Sequence, residues 1–195
     1  MINEDLLKNY KAKIISLKKD ENLFFEGNNP VHFYQIKEGA IKVSNYSDDG
    51  KEFVQGIFSN GESLGEPPLL GEFEYPGTAS ALTETTVYAV HKSYFENLLK
   101  DNFEVQMKLL KTLSKRLHYK AMIMREISSY DPEHRILTLI DYLKEKDEVT
   151  TTYEVTITRQ QIANLTGLRV ETVIRAIKQL EAKNEVEIKN RSVYR

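Results

Sequence analysis

The sequence predicts an α+β protein: an N-terminal antiparallel β-roll of the jelly-roll type, one long helix, and a small C-terminal domain of short helices and a hairpin. Three observations predict it. Turn signals recur about every 10–12 residues through the first half, as in antiparallel rolls. A stretch without glycine or proline follows, and two short helices separated by a glycine lie near the C-terminus. The expected domains are 1–100, 101–130 and 131–195.

The first segment, residues 13–95, alternates between turns and short runs of β-branched and aromatic residues. Glycine, proline, asparagine and aspartate mark the turns, at residues 26–30, 38–39, 47–50, 59–61 and 75–77. The runs between them have the composition of strands, at residues 31–36, 40–43, 53–58 and 85–90. Short strands at even spacing predict that this segment forms the roll.

The second segment, residues 103–128, carries a narrow apolar stripe. Its apolar residues follow one another in steps of three and four, at Phe103, Met107, Leu110, Leu113, Leu117, Ala121, Met124 and Ile127. This heptad-like spacing predicts a helix about 39 Å long. A stripe this narrow suits one partner helix, so we expect a dimer held through Leu110, Leu113, Leu117, Ala121 and Met124. The alternative is a long core helix packed on the roll.

Asp131, Pro132 and Glu133 predict where this helix ends and the next begins. Aspartate is a favoured N-cap, proline is favoured at the first helical position, and glutamate suits the first turn. Proline also disfavours helix at the preceding Tyr130. A hinge is therefore expected here.

Composition excludes several kinds of site. The chain has no cysteine, which excludes disulfides, thiolate zinc sites, cysteine-ligated iron–sulfur clusters and a cysteine nucleophile. No apolar run approaches the ~18 residues that span a bilayer, and the acidic N-terminus lacks the pattern of a signal peptide. We therefore expect a cytoplasmic protein without a membrane partner.

Charge is unevenly distributed, although the whole chain carries a net charge of only −2. Residues 1–100 carry 10 basic and 15 acidic residues. Residues 156–195 carry four glutamates against eight basic residues, which are Arg159, Arg169, Arg175, Lys178, Lys183, Lys189, Arg191 and Arg195. A basic C-terminal segment favours contact with a polyanion.

The strongest motif begins at Thr158, a residue type favoured as a helix N-cap. Ala163 is small enough to let a second helix cross closely, and Gly167 follows where a tight turn needs positive φ. Val173 and Ile177 then return to the shared core. This spacing of small residue, glycine and apolar residues is typical of a DNA-binding helix-turn-helix.

The second helix of the motif carries residue types that recognise bases. Arg175 can donate to O6 and N7 of guanine, and Glu171 can accept from N4 of cytosine. Because they are four residues apart, they share one helical face. The expected base contacts are Arg169, Glu171, Thr172 and Arg175. The alternative is a surface ion pair between Glu171 and Arg175, which would stabilise the helix by about 0.2–0.5 kcal/mol.

The chain ends in two alternating runs around Asn190 and Arg191, which predict a short hairpin, the wing of a winged helix-turn-helix. The expected phosphate contacts come from the first helix, the second helix and this wing, and are Thr158, Arg159, Gln160, Lys178, Lys189 and Arg191. Free backbone N–H groups at the start of the first helix would assist them.

The order of these segments resembles the CRP/FNR family of bacterial transcription regulators over nearly the whole chain. The resemblance rests on Gly27, residues 34–36, Gly39, Asp49-Gly50, residues 61–66 and residues 171–175. It implies a roll like a cyclic-nucleotide-binding domain, a dimerisation helix, and a homodimer on a two-fold symmetric DNA operator with half-sites about one helical turn apart. It also implies that an effector on the roll changes how the recognition helices are presented, and it allows RNA polymerase as a partner.

The resemblance further implies an effector pocket at Gly65, Glu66, Thr78, Ala79, Leu117, Lys120 and Ala121. Members that bind cyclic AMP hold its phosphate with an Arg-Ser or Arg-Thr pair, but residues 75–81 contain no arginine. Those members also present a Thr-Ser pair to the base where this chain has Lys120-Ala121. We therefore expect neither cyclic AMP nor an iron–sulfur cluster, and the effector, if there is one, stays open.

Three other interpretations are weighed against this one. A cupin-like metal enzyme needs two close histidines and a carboxylate, but the predicted strands offer only His32 and His91, far apart in sequence. A haem sensor could use only these or His118, which show no motif spacing. The third is a signalling or scaffolding module with a degenerate helix-turn-helix. Ile174 favours it slightly, although an apolar side chain there can also contact a thymine methyl.

Overall fold

The computed structural model describes residues 2–48 and 50–195, and Asp49, a turn residue named above, lies outside the described residues. The chain divides into two compact units, Met1–Ser114 and Lys115–Arg195. This division falls inside the long helix, and the three-domain boundaries given above stay a prediction.

The N-terminal unit is an antiparallel roll of two four-stranded sheets, as predicted. One sheet has the strand order β1-β8-β3-β6 and the other β2-β7-β4-β5. The strands are β1 (Lys13–Leu17), β2 (Asn22–Phe24), β3 (His32–Glu38), β4 (Ala40–Tyr46), β5 (Glu52–Ser59), β6 (Ser63–Leu64), β7 (Thr78–Ala81) and β8 (Thr85–His91). The helices described in this unit are α1 (Glu4–Asn9), α2 (Glu66–Gly71), α3 (Lys92–Asp101) and the first part of α4.

Strands β3 and β8 are buried on both faces. One face contributes Ile36, Val87 and Ala89 to the core between the two sheets. The other contributes Phe33 and Val90 to a second core under α1 and α3. The Phe33 ring, for example, stacks on Phe95 of α3 with ring centroids 4.1 Å apart. Burial on both faces explains why these two strands are apolar along most of their length instead of alternating.

Several elements of the roll were not predicted. Strands β1, β2 and β7 lack a strong alternation of apolar and polar residues. They form because distant strands pair with them, and Ile15 of β1, for example, lies opposite Val87 of β8. The pattern of turns also gave no sign of α3, whose N-cap is His91, with its ring accepting from the Ser93 N–H. Sheet pairing over long sequence distances leaves little local signal.

Helix α4 (Phe103–Ser129) has 27 residues, which corresponds to about 40 Å and confirms the predicted long helix. Its apolar stripe lies largely on the surface of the single chain. Phe103, Leu117 and Met124 are each at least 70% exposed. No helix in the described ranges is both long and apolar enough to cross a membrane.

The C-terminal unit packs three helices against a hairpin. The helices are α5 (Pro132–Lys146), α6 (Arg159–Thr166) and α7 (Val170–Ala182), and the hairpin strands are β9 (Glu187–Lys189) and β10 (Ser192–Tyr194). Asp131 caps α5 by accepting from the His134 N–H, and Pro132 begins it, as predicted. The core of this unit consists of fully buried side chains from α5, α6, α7 and β10, namely Ile136, Leu139, Ile140, Ile162, Val173, Ile177 and Val193.

Candidate nucleic-acid interface

Helix α6 begins at a closed capping box. The Thr158 hydroxyl accepts from the Gln161 backbone N–H at 3.1 Å, and the Gln161 side-chain oxygen accepts from the Thr158 N–H at 2.8 Å. This confirms Thr158 as the N-cap. Because the box uses two of the terminal N–H groups, those of Arg159 and Gln160 are the ones left for an anion.

The turn between α6 and α7 has the predicted geometry. Gly167 adopts φ 70° and ψ 15°, and its N–H donates to the Ala163 carbonyl. Ala163 is buried where the two helices cross, and Val173 and Ile177 are buried beside it. The left-handed backbone at Gly167 turns the chain sharply, so that α7 leaves the core with one face exposed.

Helix α7 divides cleanly into a buried face and an exposed face. The buried face carries Val173, Ala176, Ile177 and Leu180. On the other side Glu171, Arg175 and Lys178 are exposed, and at about 100° per residue they lie within about 60° of one another. Arg169, the N-cap, is also exposed, whereas Thr172 is half-buried.

Glu171 and Arg175 do not pair with each other. Their spacing and order are those that favour an i,i+4 ion pair. Within the described residues, however, neither side chain forms a salt bridge or a hydrogen bond. Both groups therefore remain available to an external partner, and the surface-pair alternative is not what the described structure contains.

The wing is the predicted hairpin. Strands β9 and β10 pair with Lys189 opposite Ser192, so two residues form the turn. Both turn residues have positive φ, 50° at Asn190 and 70° at Arg191, which is the signature of a type I′ turn. A third extended segment continues this sheet, because the Val155 N–H donates to the Val193 carbonyl at 2.8 Å.

The wing is tied to the start of α6 by an arginine. The Arg159 guanidinium donates to the Arg191 carbonyl at 3.2 Å. Burial lowers the pKa of Arg159. An arginine stays protonated at neutral pH even so, which places a half-buried cation between the helix terminus and the wing. Sequence reasoning assigned Arg159 to phosphate alone and missed this link, which has no local sequence signal.

The residues predicted to contact phosphate differ in whether their side chains already have a partner within the protein. Lys189 forms an ion pair with Glu187 at 2.7 Å, and the Gln160 side chain donates to Asn164 at 2.8 Å. The side chains of Lys178 and Arg191 have no such partner within the part of the chain that the structure describes. The free cations thus lie on α7 and at the tip of the wing.

Sequence reasoning also missed a cluster at the junction of α4 and α5. The carboxylate of Glu126, which is almost fully buried, lies 2.6 Å from Nδ1 of His134. The Tyr130 ring stacks on His134 with centroids 4.1 Å apart. The Arg135 guanidinium donates to the Ile127 carbonyl, in the last turn of α4, and to the Tyr130 carbonyl, one residue after α4 ends. These contacts link the end of α4 to the start of α5, where a hinge was expected, and that hinge stays a prediction.

The predicted effector residues are divided between the two units. Gly65 has φ 83° and caps α2, and Glu66 and Ala79 are fully buried in the roll. The Thr78 hydroxyl accepts from the Glu26 N–H at 3.1 Å. Leu117, Lys120 and Ala121 are exposed positions on the part of α4 that belongs to the C-terminal unit.

Two protein families match the chain in succession. Residues 14–102 match the family described as the cyclic nucleotide-binding domain, and residues 134–194 match the Crp-like helix-turn-helix domain. Together the two ranges cover well over half of the chain, in the order of the roll and the helix-turn-helix described above. The chain belongs to the CRP/FNR family. It is a DNA-binding transcription regulator.

Known proteins agree with this assignment. The cAMP-activated global transcriptional regulator CRP of Haemophilus influenzae is 29% identical over 176 residues, which are 88% of this chain and 78% of the relative. The transcriptional activator protein Anr of Pseudomonas protegens is 25% identical over 182 residues, 91% of this chain and 74% of the relative. The fold resembles that of the c-di-GMP responsive global regulator CLP of Xanthomonas campestris, with a TM-score of 0.79, 20% identity and coverage of 98% of each chain.

This CRP/FNR-family chain fills the arginine-free stretch of its roll with neutral groups. The Pro76 carbonyl accepts from the amides of Asn45 and Gln55, at 2.6 and 2.8 Å. A Cβ added at Gly77 would lie 3.0 Å from the Ser44 carbonyl, so the backbone here is closely packed. Lys42, a cation on the neighbouring strand β4, is already paired with Glu52. Among the described residues of this arrangement, no unpaired cation takes the place of an arginine.

The histidines of this CRP/FNR-family roll are closer than their sequence separation suggested. His32 and His91 lie opposite each other on β3 and β8, with ring centroids 5.6 Å apart. Burial, followed by the charges of His91 and Lys13, lowers the pKa of His32. No group of three or more histidine, cysteine, aspartate or glutamate side chains is arranged to hold a metal ion among residues 2–48 and 50–195. The argument from sequence distance was therefore wrong, although a third ligand is missing from the described structure.

Proposed function

We propose that this regulator binds a two-fold symmetric DNA operator as a homodimer, with α7 of each copy in the major groove. One observation carries the proposal. The exposed face of α7 presents Glu171 and Arg175 one turn apart, and within the described residues neither has a protein partner. Charged side chains held on a rigid helix and left unpaired are what direct base recognition requires.

The proposed base contacts are Arg169, Glu171, Thr172 and Arg175. The Arg175 guanidinium would donate two hydrogen bonds to O6 and N7 of a guanine, and the Glu171 carboxylate would accept from N4 of a cytosine. Each such contact is worth about 1–3 kcal/mol of discrimination against the wrong base. Thr172 is half-buried, so we assign it the smallest part in recognition.

The proposed phosphate contacts are Thr158, Arg159, Gln160, Lys178, Lys189 and Arg191. Lys178 and Arg191 are assigned the largest share, because their side chains are not occupied elsewhere in the described structure. Lys189 would first have to leave Glu187. Arg159 would act mainly by holding the wing at the start of α6. Phosphate contacts fix the position of the protein on DNA without reading its sequence.

The homodimer is proposed to form along α4. Leu110, Leu117 and Met124 are each more than half exposed on one side of this helix, and Leu113 and Ala121 complete the stripe. Two copies related by a two-fold axis would bury these stripes against each other and would present two copies of α7 to half-sites about one helical turn apart. The cytoplasm, where the chromosome lies, is the inferred location, and RNA polymerase is the inferred protein partner.

The effector of the roll is proposed to be something other than cyclic AMP, acting near Gly65, Glu66, Thr78, Ala79, Leu117, Lys120 and Ala121. The support is electrostatic. A cyclic phosphate without a charge-assisted contact loses about half of the usual hydrogen-bond strength there. The corresponding stretch, residues 75–81, has only neutral side chains, and the nearby amides of Asn45 and Gln55 already donate to the Pro76 carbonyl. We infer a binding role and no catalytic one, with an effector that modulates how α7 is presented.

Selection of random duplex DNA on the purified protein, with and without cyclic AMP, tests the proposal. We expect a two-fold symmetric motif that is the same under both conditions. A motif that appears only with cyclic AMP would overturn the exclusion of that nucleotide. Absence of any motif with and without the nucleotide would contradict operator binding by the effector-free protein.

Repeating the selection with Arg175→Ala tests the assigned face. We expect the preference at one G·C pair in each half-site to relax, with a loss of about 1–3 kcal/mol there and little change elsewhere. Gln179→Ala, an exposed substitution further along α7, is the matched control and should keep the parent motif. If Arg175→Ala selects the same motif as the parent, the base-reading face has been assigned wrongly.

A further inference from the structure

The recognition face of α7 contains one apolar side chain. Ile174 is 43% exposed, and it is the only large hydrophobic residue classed as exposed among the described residues 131–195. Four other apolar side chains of this helix are buried, namely Val173, Ala176, Ile177 and Leu180. Ile174 therefore does not serve the core of its own unit.

Ile174 lies beside the charged residues proposed to read bases. At about 100° per residue, it is about 60° from Glu171 and about 100° from Arg175 around the helix axis, and about 40° from Lys178, which is proposed to contact phosphate. Along the axis it is about 4.5 Å from Glu171 and about 1.5 Å from Arg175. These offsets are comparable to the ~3.4 Å rise per base pair of DNA, so a helix that brings Glu171 and Arg175 to base edges brings Ile174 to a neighbouring pair.

Hydrocarbon at that position can recognise only one feature of a base pair in the major groove. Isoleucine has no hydrogen-bond donor or acceptor in its side chain. Against adenine, guanine or cytosine it would cover polar edge atoms without satisfying them, which is unfavourable. The C5-methyl group of thymine is the one apolar group that a base presents in this groove.

We propose that Ile174 is a specificity-determining residue that selects a thymine in each half-site through its C5-methyl group. The inference rests on the proposed function, since it assumes that α7 lies in the major groove. It adds a T·A position next to those read by Glu171 and Arg175. The inference would assign to DNA recognition the one side chain that otherwise favours a degenerate helix-turn-helix.

Replacement of thymine by deoxyuridine tests this inference, because it removes the methyl group and leaves the Watson–Crick and hydrogen-bonding edges intact. Each thymine of the selected operator is replaced in turn, symmetrically in both half-sites, and binding is measured by fluorescence anisotropy at fixed salt. We expect one position where the parent binds about 4-fold more weakly per half-site, or about 15-fold for both. The other positions should change less than twofold.

Ile174→Ala then connects that position to the side chain. The variant should bind the thymine and deoxyuridine operators within about twofold of each other, whereas Gln179→Ala should discriminate as the parent does. Because Ile174 is exposed, the variant is expected to fold, and circular dichroism checks this. An operator that the parent binds equally well with thymine and deoxyuridine would overturn the inference alone. So would discrimination that survives in Ile174→Ala. Failure of the parent to select any operator would overturn the proposed function together with the inference.

Discussion

At the scale of single residues, the backbone at three positions decides whether the DNA-binding surface forms. Gly167 holds φ 70° between α6 and α7, and Asn190 and Arg191 hold positive φ at the tip of the wing. Glycine occupies this conformation without strain, whereas other residues do so at a cost that is smallest for asparagine. The sequence places glycine in the turn on which the direction of α7 depends.

Gly167→Ala is expected to destabilise the C-terminal unit by about 1–2 kcal/mol through backbone strain. Crowding adds nothing, since the nearest heavy atom to an added Cβ is Cδ1 of Ile127 at 4.0 Å. Thermal unfolding followed by circular dichroism measures the effect, with an expected loss of about 4–8 °C per kcal/mol for a unit of this size.

Gly167→Asn is the matched control for that substitution. Asparagine enters the left-handed region more readily than alanine, so it should recover part of the lost stability despite its larger side chain. Equal stability of the alanine variant and the parent would show that the turn does not depend on this conformation.

At the scale of elements, local patterns predicted the C-terminal half well. Helix α4, the cap at Thr158 and the turn at Gly167 are all encoded by neighbouring residues, and each is confirmed. The hairpin around Asn190 and Arg191 was also predicted, although neither is the glycine that type I′ turns favour.

Contacts between distant residues were not predictable in the same way. Strand β1 forms by pairing with β8, more than 60 residues later in the chain. The pair His32 and His91 and the link from Arg159 to the Arg191 carbonyl arise only once the strands and helices have packed. The absence of an ion pair between Glu171 and Arg175 likewise depends on where their side chains are placed, which their spacing in the sequence does not determine.

The exposed stripe of α4 carries a prediction at this scale. Leu113→Glu combined with Leu117→Glu places two charges where the partner helix is proposed to pack, and burying them would cost several kcal/mol. Sedimentation velocity should therefore show monomers, and DNA affinity should fall because only one half-site is engaged at a time. Lys111→Glu combined with Lys115→Glu, on the opposite side of the same helix, should leave dimers intact. Persistent dimers with the leucine substitutions would move the interface away from this stripe.

At the scale of the whole molecule, basic residues are concentrated near the C-terminus. The chain carries a net charge of −2, yet its C-terminal 40 residues hold eight basic residues and four glutamates. Several of those basic residues are used within the protein. Arg195 contacts Asp141 and Glu185, and Lys183 contacts Glu133. What remains for DNA is a smaller set, centred on Arg175, Lys178 and Arg191, and in a homodimer every member of that set occurs twice.

The number of phosphate contacts in the dimer can be measured from the salt dependence of DNA affinity. For duplex DNA, log K falls with log salt concentration with a slope of about −0.9 per phosphate contact. In a homodimer Arg191→Ala or Lys178→Ala removes two contacts, so each should make the slope less negative by about 1.8 and weaken all operators alike. Lys183→Ala, which removes a cation already paired with Glu133, should leave the slope unchanged. Anisotropy titrations on the selected operator over a range of salt concentrations measure this slope.

A change in slope of about 0.9 for Arg191→Ala would mean that one copy alone contacts phosphate there, which contradicts a two-fold symmetric complex. No change in slope would show that the tip of the wing does not contact phosphate.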